Sequence, residues 1–163
     1  MNAIAGRHVL VLGTGVAGSA AVEACAELGA TYETVDANGT ADHADVATVD
    51  LSRVDVVMAS PAFAPHSDAL RAVDAAGLEI WSEMEFAWRV RRPEVPWVLI
   101  TGTNGKTTTT QMTGAIAAAG GLNVAVCGNM GDPVIARARE AHDLLAVEIA
   151  SLQLHYTSTV SPA

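Results

Sequence analysis

Thr101-Gly102-Thr103-Asn104-Gly105-Lys106-Thr107-Thr108 stands between an apolar run, Trp97-Val98-Leu99-Ile100, and a helix-like segment, Thr109 to Ala119. Strand, glycine-rich turn, Lys-Thr and helix is the order of a phosphate-binding loop. Gly102 and Gly105 allow a tight turn with N–H groups pointing inward. The helix that follows adds its positive N-terminal end. In such a loop Lys106 reaches the terminal phosphates of a nucleotide and the Thr107 hydroxyl ligates Mg2+. Lys106 is the only lysine of the chain; the other eight basic residues are arginines. The spacing departs from the common pattern, because Ile100 stands where a first glycine is usual.

Composition bounds what surrounds this loop. The chain has 163 residues, 50% hydrophobic and 17% charged, enough for one ordinary domain or two small ones. A net charge of −9 argues against a nucleic-acid or anionic-membrane surface. An acidic chain that binds phosphates needs local devices: backbone N–H groups, a helix N-terminus, one lysine and a metal ion. Cys25 and Cys127 form no CxxC pair and sit in apolar segments, as buried thiols of a reducing cytoplasm do. The five histidines show no metal-ligand spacing. The N-terminus runs straight into a strand, so no signal peptide is expected, and no apolar run is long enough to span a membrane.

Upstream, His8 to Leu12 reads as a buried parallel strand. Gly13-Thr14-Gly15-Val16-Ala17-Gly18 then opens a helix to about Leu28, with Gly29 as its stop. A second strand, Tyr32 to Val35, ends at Asp36. This is the layout of a Rossmann-type unit, in which the acid contacts a ribose. Close helix–strand packing also explains such glycines, and a solvated strand end also explains Asp36. Asp55 to Ser60 is another strand, and the Ser60-Pro61 loop at its carboxyl end is a ligand position in open α/β sheets. Ser67 caps a helix that stops near Gly77, and Leu78 to Trp81 is a short strand. Ser82-Glu83-Met84-Glu85 is a capping box for a helix through Arg92, whose acidic start and basic end match the macrodipole. Trp81, Met84 and Trp88 form a core stripe. Pro93 and Pro96 mark a domain boundary.

Downstream, Met112 and Ile116 give the helix after the loop an apolar face, ended by Gly120-Gly121. Asn123 to Cys127 reads as a strand and Gly128-Asn129-Met130-Gly131 as a tight turn. Asn129 is a turn residue or a polar contact to substrate. Asp143 to Ile149 is a buried strand with Glu148 in its apolar run. That carboxylate needs a partner: Mg2+ beside the nucleotide, or a structural donor at the strand end. Only three strands follow Val95, few for a doubly wound domain, so the second domain is expected to be incomplete with an unpaired sheet edge.

In order, Gly13 to Gly18, Ser60-Pro61, Thr101 to Thr108, Gly128 to Gly131 and Glu148-Ile149-Ala150-Ser151-Leu152-Gln153 resemble the Mur ligase family along the whole chain. Asn104 and the Glu148 to Gln153 stretch look most like the branch that adds D-glutamate. The resemblance implies a Rossmann-like domain over Met1 to Arg92 that binds UDP-N-acetylmuramoyl-L-alanine. It implies the truncated start of a phosphate-loop ATPase-type α/β domain over Val95 to Ala163, and an absent C-terminal domain. Gly13, Thr14, Gly15, Val16, Ala17 and Gly18 would hold the diphosphate, Asp36 the uridine, and Ser60 and Asn129 would face the substrate. Gly102, Thr103, Asn104, Gly105, Lys106, Thr107 and Thr108 would bind ATP. Thr107 and Glu148 would hold Mg2+, with Lys106 and Glu148 as the catalytic pair. The implied reaction is ATP-dependent amide formation with D-glutamate through an acyl phosphate, in cytoplasmic peptidoglycan-precursor synthesis that serves cell-wall biogenesis, shape and division. The family's downstream histidine and carbamylated lysine are not in these 163 residues, so this chain is expected to be an inactive fragment of a ligase monomeric at full length. The alternatives are a non-catalytic uridine-nucleotide-binding remnant, a nicotinamide oxidoreductase built on the first segment, and a different phosphate-loop enzyme.

Overall fold

Every strand pair is parallel, so each return crosses a sheet face; α-helices make these returns except between the second and third strands, where two short 3-10 turns, Val46–Thr48 and Leu51–Arg53, stand instead. The computed structural model describes residues 3–129 and 131–162. The first sheet contains β1 (His8–Leu12), β2 (Thr31–Val35), β3 (Val56–Ala59) and β4 (Ile80–Ser82), in the order β2-β1-β3-β4. The second contains β5 (Trp97–Ile100), β6 (Val124–Gly128) and β7 (Leu144–Glu148), in the order β5-β7-β6. The sheets part across the Pro93 to Pro96 break. The architecture is mixed α/β with parallel sheets.

β3 is buried along its whole length, and β1 from Val9 on, which is why both read as unbroken apolar runs rather than alternating ones. One face of the first sheet packs Leu10, Leu12 and Val57 against Leu70 and Val73 of α2 (Asp68–Ala75). The other face packs Val9, Val11 and Met58 against α1 (Val16–Leu28) and α3 (Glu83–Val90). The same buried cluster continues through Val134, Ile135 and Ala138 of α5 (Val134–Arg139) to Trp97, Cys127, Leu145 and Val147 of the second sheet. Helices α1, α3 and α5 therefore share one core with both sheets. Ala20, Ala21 and Ala24 keep α1 thin enough for this sandwich.

The helix ends follow their local chemistry. Gly29 closes α1 in the left-handed region, and the Ser67 hydroxyl caps α2. Four expectations need correction. The helix after the lysine loop, α4 (Lys106–Ala119), starts at Lys106 rather than Thr109, because Gly105 at φ 76° turns the chain directly into it. Met112 and Ile116 are 58% and 70% exposed, while Thr110 and Gly114 form the buried face. Any side chain at 114 would overlap Val126, so the helix approaches its sheet through small residues. α3 stops at Val90 rather than Arg92, since Pro93 disfavours helical torsions at the residue before it. The fourth strand covers Ile80–Ser82 instead of Leu78 to Trp81, in register with Val57 to Ala59.

The capping box is half made. Ser82 Oγ accepts from Glu85 N–H at 3.1 Å, but Ser82 N–H donates to Tyr156 C=O at 3.0 Å. Glu85 is fully buried and accepts instead from Ser158 N–H at 2.8 Å, Thr159 N–H at 2.9 Å and Arg89 Nε at 2.7 Å. Burial pushes this carboxyl up, and the Thr159, Arg89 and Ser158 donors outweigh it, holding it at about 2. The end of the chain is thus clasped to the start of α3. Cys25 and Cys127 are free and buried as expected, and burial raises their thiols to about 11 and about 12. No helix among the described residues is long and apolar enough to cross a membrane.

Candidate functional site

Parallel strands deliver their following loops to one edge, so the glycine turns, Ser60, Asn129 and Glu148 are grouped by topology before any side chain is considered. The carboxyl edges of the two sheets meet around a cavity of about 330 Å³. The first sheet contributes Gly15, Val16 and Ala17 after β1, Ser60, Pro61 and Ala62 after β3, and Glu83 after β4. The second contributes Gly128 at the end of β6, Asn129, Gly131 and Pro133 after it, and Gln153 after β7. This volume is in the range of small-molecule sites. The N-terminus of α1 opens into it with no side-chain cap, a setting that favours an anion.

The three glycines of the first turn serve different ends. Gly13 has φ 92°, and a side chain there would overlap Ser60 Oγ. A side chain at Gly18 would overlap the Gly13 carbonyl. Those two positions are demanded by packing. Gly15 has nothing within contact distance of its missing side chain and faces the cavity. Asp36 is drawn back onto this turn: its Oδ2 accepts from Thr14 N–H at 2.8 Å and Thr14 Oγ1 at 2.9 Å, and its Oδ1 from Asn38 N–H at 2.9 Å. The Thr14 N–H, then the Asn38 N–H and the Thr14 hydroxyl, hold the Asp36 carboxyl below its ordinary range. In this structure neither Thr14 nor Asp36 lines the shared cavity. Gly13, Gly18, Thr14 and Asp36 build the turn, whereas Gly15, Val16, Ala17, Ser60 and Asn129 face the space.

A second cavity of about 310 Å³ lies beside α4, lined by Thr107, Thr110, Gln111, Val126, Gly131 and Glu148. Glu148 is central in the second sheet, paired with Ile100 on one side and Gly128 on the other. Gly128 must be glycine, for a side chain there would overlap the Glu148 backbone. Asn129 N–H donates to Glu148 C=O at 3.0 Å, which fixes the next turn; Met130 in that turn lies outside the described residues. Glu148 is 3% exposed, and among the described residues no side chain donates a hydrogen bond to its carboxylate. A buried carboxylate of this kind calls for a cation or a donor. Thr107 supplies a hydroxyl to the same space. The pair suits a hard, oxygen-seeking ion completed by phosphate oxygens and water, as Mg2+ is. Among the described residues no group of three or more His, Cys, Asp and Glu side chains is arranged to hold a metal alone.

Lys106 Nζ donates to Gly102 C=O at 2.9 Å and so closes the loop on itself. Gly102, Thr103, Asn104, Gly105 and Thr108 are exposed on that loop.

Ala62, Pro133 and two polar residues, Glu83 and Gln153, line the shared cavity without having been expected there. The sequence places Glu83 at an acidic helix start and Gln153 only in a family-like stretch. Both follow the carboxyl end of a parallel strand or its next turn, the signal that marked Ser60.

Residues 100–161 match the family model described as Mur ligase middle domain. The chain is 40% identical over 173 residues to a UDP-N-acetylmuramoylalanine--D-glutamate ligase of Mycolicibacterium vanbaalenii, covering 96% of this chain and 36% of that protein. It is 38% identical over 176 residues to the ligase of the same name from Nocardia farcinica, covering 96% of this chain and 37% of that protein. The chain thus spans little more than a third of these relatives. Among solved structures it is similar in fold to the UDP-N-acetylmuramate:L-alanyl-gamma-D-glutamyl-meso-diaminopimelate ligase from Neisseria meningitides. The TM-score is 0.54 at 19% identity, over 88% of this chain and 52% of that one.

Proposed function

We propose that this chain, similar along nearly its whole length to D-glutamate-adding ligases, is the nucleotide-binding part of an ATP-dependent Mur ligase joining D-glutamate to UDP-N-acetylmuramoyl-L-alanine. The observation that carries the reading is the pairing of two cavities at the carboxyl edges of the sheets. One holds an open helix N-terminus, the other a buried carboxylate beside the lysine loop.

In this reading the Rossmann-like unit, residues 1–92, takes the sugar nucleotide. Its diphosphate lies against Gly15, Val16 and Ala17, in the frame set by Gly13, Thr14, Gly18 and Asp36, with Ser60 and Asn129 toward the sugar and alanyl side. The phosphate-loop unit, from residue 95 on, takes ATP on the 101–108 loop. Lys106 exchanges the Gly102 carbonyl for phosphate oxygens and neutralises charge as the γ-phosphoryl group moves. Mg2+ held by Thr107 and Glu148 would supply further charge neutralisation when bound. The alanyl carboxylate attacks the γ-phosphorus of ATP and ADP leaves; the D-glutamate amine then attacks the acyl phosphate, phosphate leaves, and the nitrogen gives up a proton as the amide forms. The two units hold both nucleotides in fixed relation, and positioning supplies much of the rate. Amide synthesis itself belongs to the ligase at the length of its relatives, in the cytoplasm, in peptidoglycan-precursor synthesis. The 163 residues bind without turning over.

The test is calorimetric titration of this chain with UDP-N-acetylmuramoyl-L-alanine and, separately, with Mg2+ and a non-hydrolysable ATP analogue. Saturable binding of each supports the reading. Tight NAD binding with no response to the uridine nucleotide would replace it with the nicotinamide alternative.

A further inference from the structure

Glu83 is the first residue of α3 and is 5% exposed, yet it makes no ion pair among the described residues. Its Oε1 accepts from the N–H of Val134, the first residue of α5, at 3.1 Å. Its Oε2 faces Gln153 Nε2 at 3.5 Å. The other end of that carboxamide is also engaged, since Gln153 Oε1 accepts from Ala150 N–H at 2.9 Å. The two partners leave the amide one orientation: oxygen to the N–H donor, NH2 group to the carboxylate. Both side chains border the cavity shared by the two sheets. Burial pushes the Glu83 carboxyl up, against the Val134 and Gln153 donors, and its charge contributes to the raised Cys127 thiol.

We propose that Glu83 is a positioning residue of the shared cavity. It sets the orientation of the Gln153 carboxamide, and of the turn after β7, that a bound sugar nucleotide meets; this rests on the sugar-nucleotide reading above. A hydrogen-bonded neighbour that locks an amide is how a second residue tunes a contact it does not make itself. Its negative charge also disfavours a diphosphate at this end and leaves the anion to the N-terminus of α1.

The experiment is a double-mutant cycle on the 163-residue chain with UDP-N-acetylmuramoyl-L-alanine as probe, using Glu83→Ala, Gln153→Ala and both together. Each single variant is expected to lose about tenfold in affinity. The double variant is expected to lose no more than the worse single one, because both remove the same interaction. Glu83→Gln, which keeps an acceptor for Val134, recovers part of the loss. Binding of the Mg2+–ATP analogue stays as in the wild type. Additive losses overturn the proposal, for Glu83 would then act independently of Gln153. If the wild-type chain binds no sugar nucleotide, the cavity reading falls first. The positioning claim is then judged by the Gln153 side-chain amide resonances. A pH-dependent shift that Glu83→Gln abolishes sustains it, and resonances indifferent to that substitution overturn it.

Discussion

The turn after β1 is closed by its neighbours, whereas the turn after β5 is closed by its own lysine. In the first, Gly13 is crowded by Ser60 and Gly18 by the Gly13 carbonyl, and Asp36, just past the adjacent strand, clamps Thr14. In the second, neither Gly102 nor Gly105 is crowded; the nearest atom to a side chain at 102 is Asn104 O at 3.6 Å, and nothing lies near one at 105. One Lys106–Gly102 hydrogen bond spans it. Both turns link a parallel strand to a helix, so the local motif is alike, but one is rigid by packing and the other is free to be reshaped by a ligand. The packed turn resists change through sterics, and the open one through backbone torsion and charge.

The largest effect separating them is expected from Gly18→Ala. Its methyl group would overlap the Gly13 carbonyl, so the chain should lose about 3 kcal/mol or more in chemical denaturation. A near-neutral result would mean that the first turn is as pliable as the second. Next comes Lys106→Ala, predicted to weaken binding of the Mg2+–ATP analogue roughly tenfold to a hundredfold while sugar-nucleotide binding is unchanged in calorimetry. Equal loss of both ligands would erase the division of labour between the turns. Gly105→Ala is smaller: with open space but φ 76°, only torsional strain of about 1 kcal/mol is expected, read as a lowered thermal midpoint with no repacking.

The smallest effect is a pH dependence confined to the first turn. The Asp36 carboxyl is held low in the folded chain, so the unfolded chain takes up its proton first as pH falls. The clamp therefore contributes fully above the ordinary carboxylate range and fades as pH drops through the lowered value. Amide exchange at Thr14 should quicken over that interval, while exchange in the 101–105 loop, closed by a lysine, shows no matching step. A common step in both would mean global acid unfolding rather than a local clamp.

Much of this site was legible because strand-end loops are grouped by a parallel sheet and because small-residue turns announce themselves. Thr107 and Glu148, 41 residues apart in sequence, could be paired from the layout of a phosphate loop and the oddity of a carboxylate in an apolar run. Asp36 was harder. Its residue type and spacing suit a ligand contact, while its hydrogen bonds from Thr14 and Asn38 depend on how β1 and β2 pair. Met112 and Ile116 misled because helical periodicity reports a face without saying which face meets the sheet; the close approach at Gly114 and Val126 settled that.

By itself the sequence located the strands and the turns between them. Those follow from short-range sterics: buried runs for parallel strands, glycine where the chain turns left-handed, a hydroxyl or bare backbone at a helix start. Only the tertiary structure decided that two separate sheets share one core through α1, α3 and α5, that their carboxyl edges wall one cavity, and that Glu83 meets Gln153 across 70 residues of chain. Such meetings depend on sheet register and helix packing summed over the whole molecule, and no local pattern encodes them.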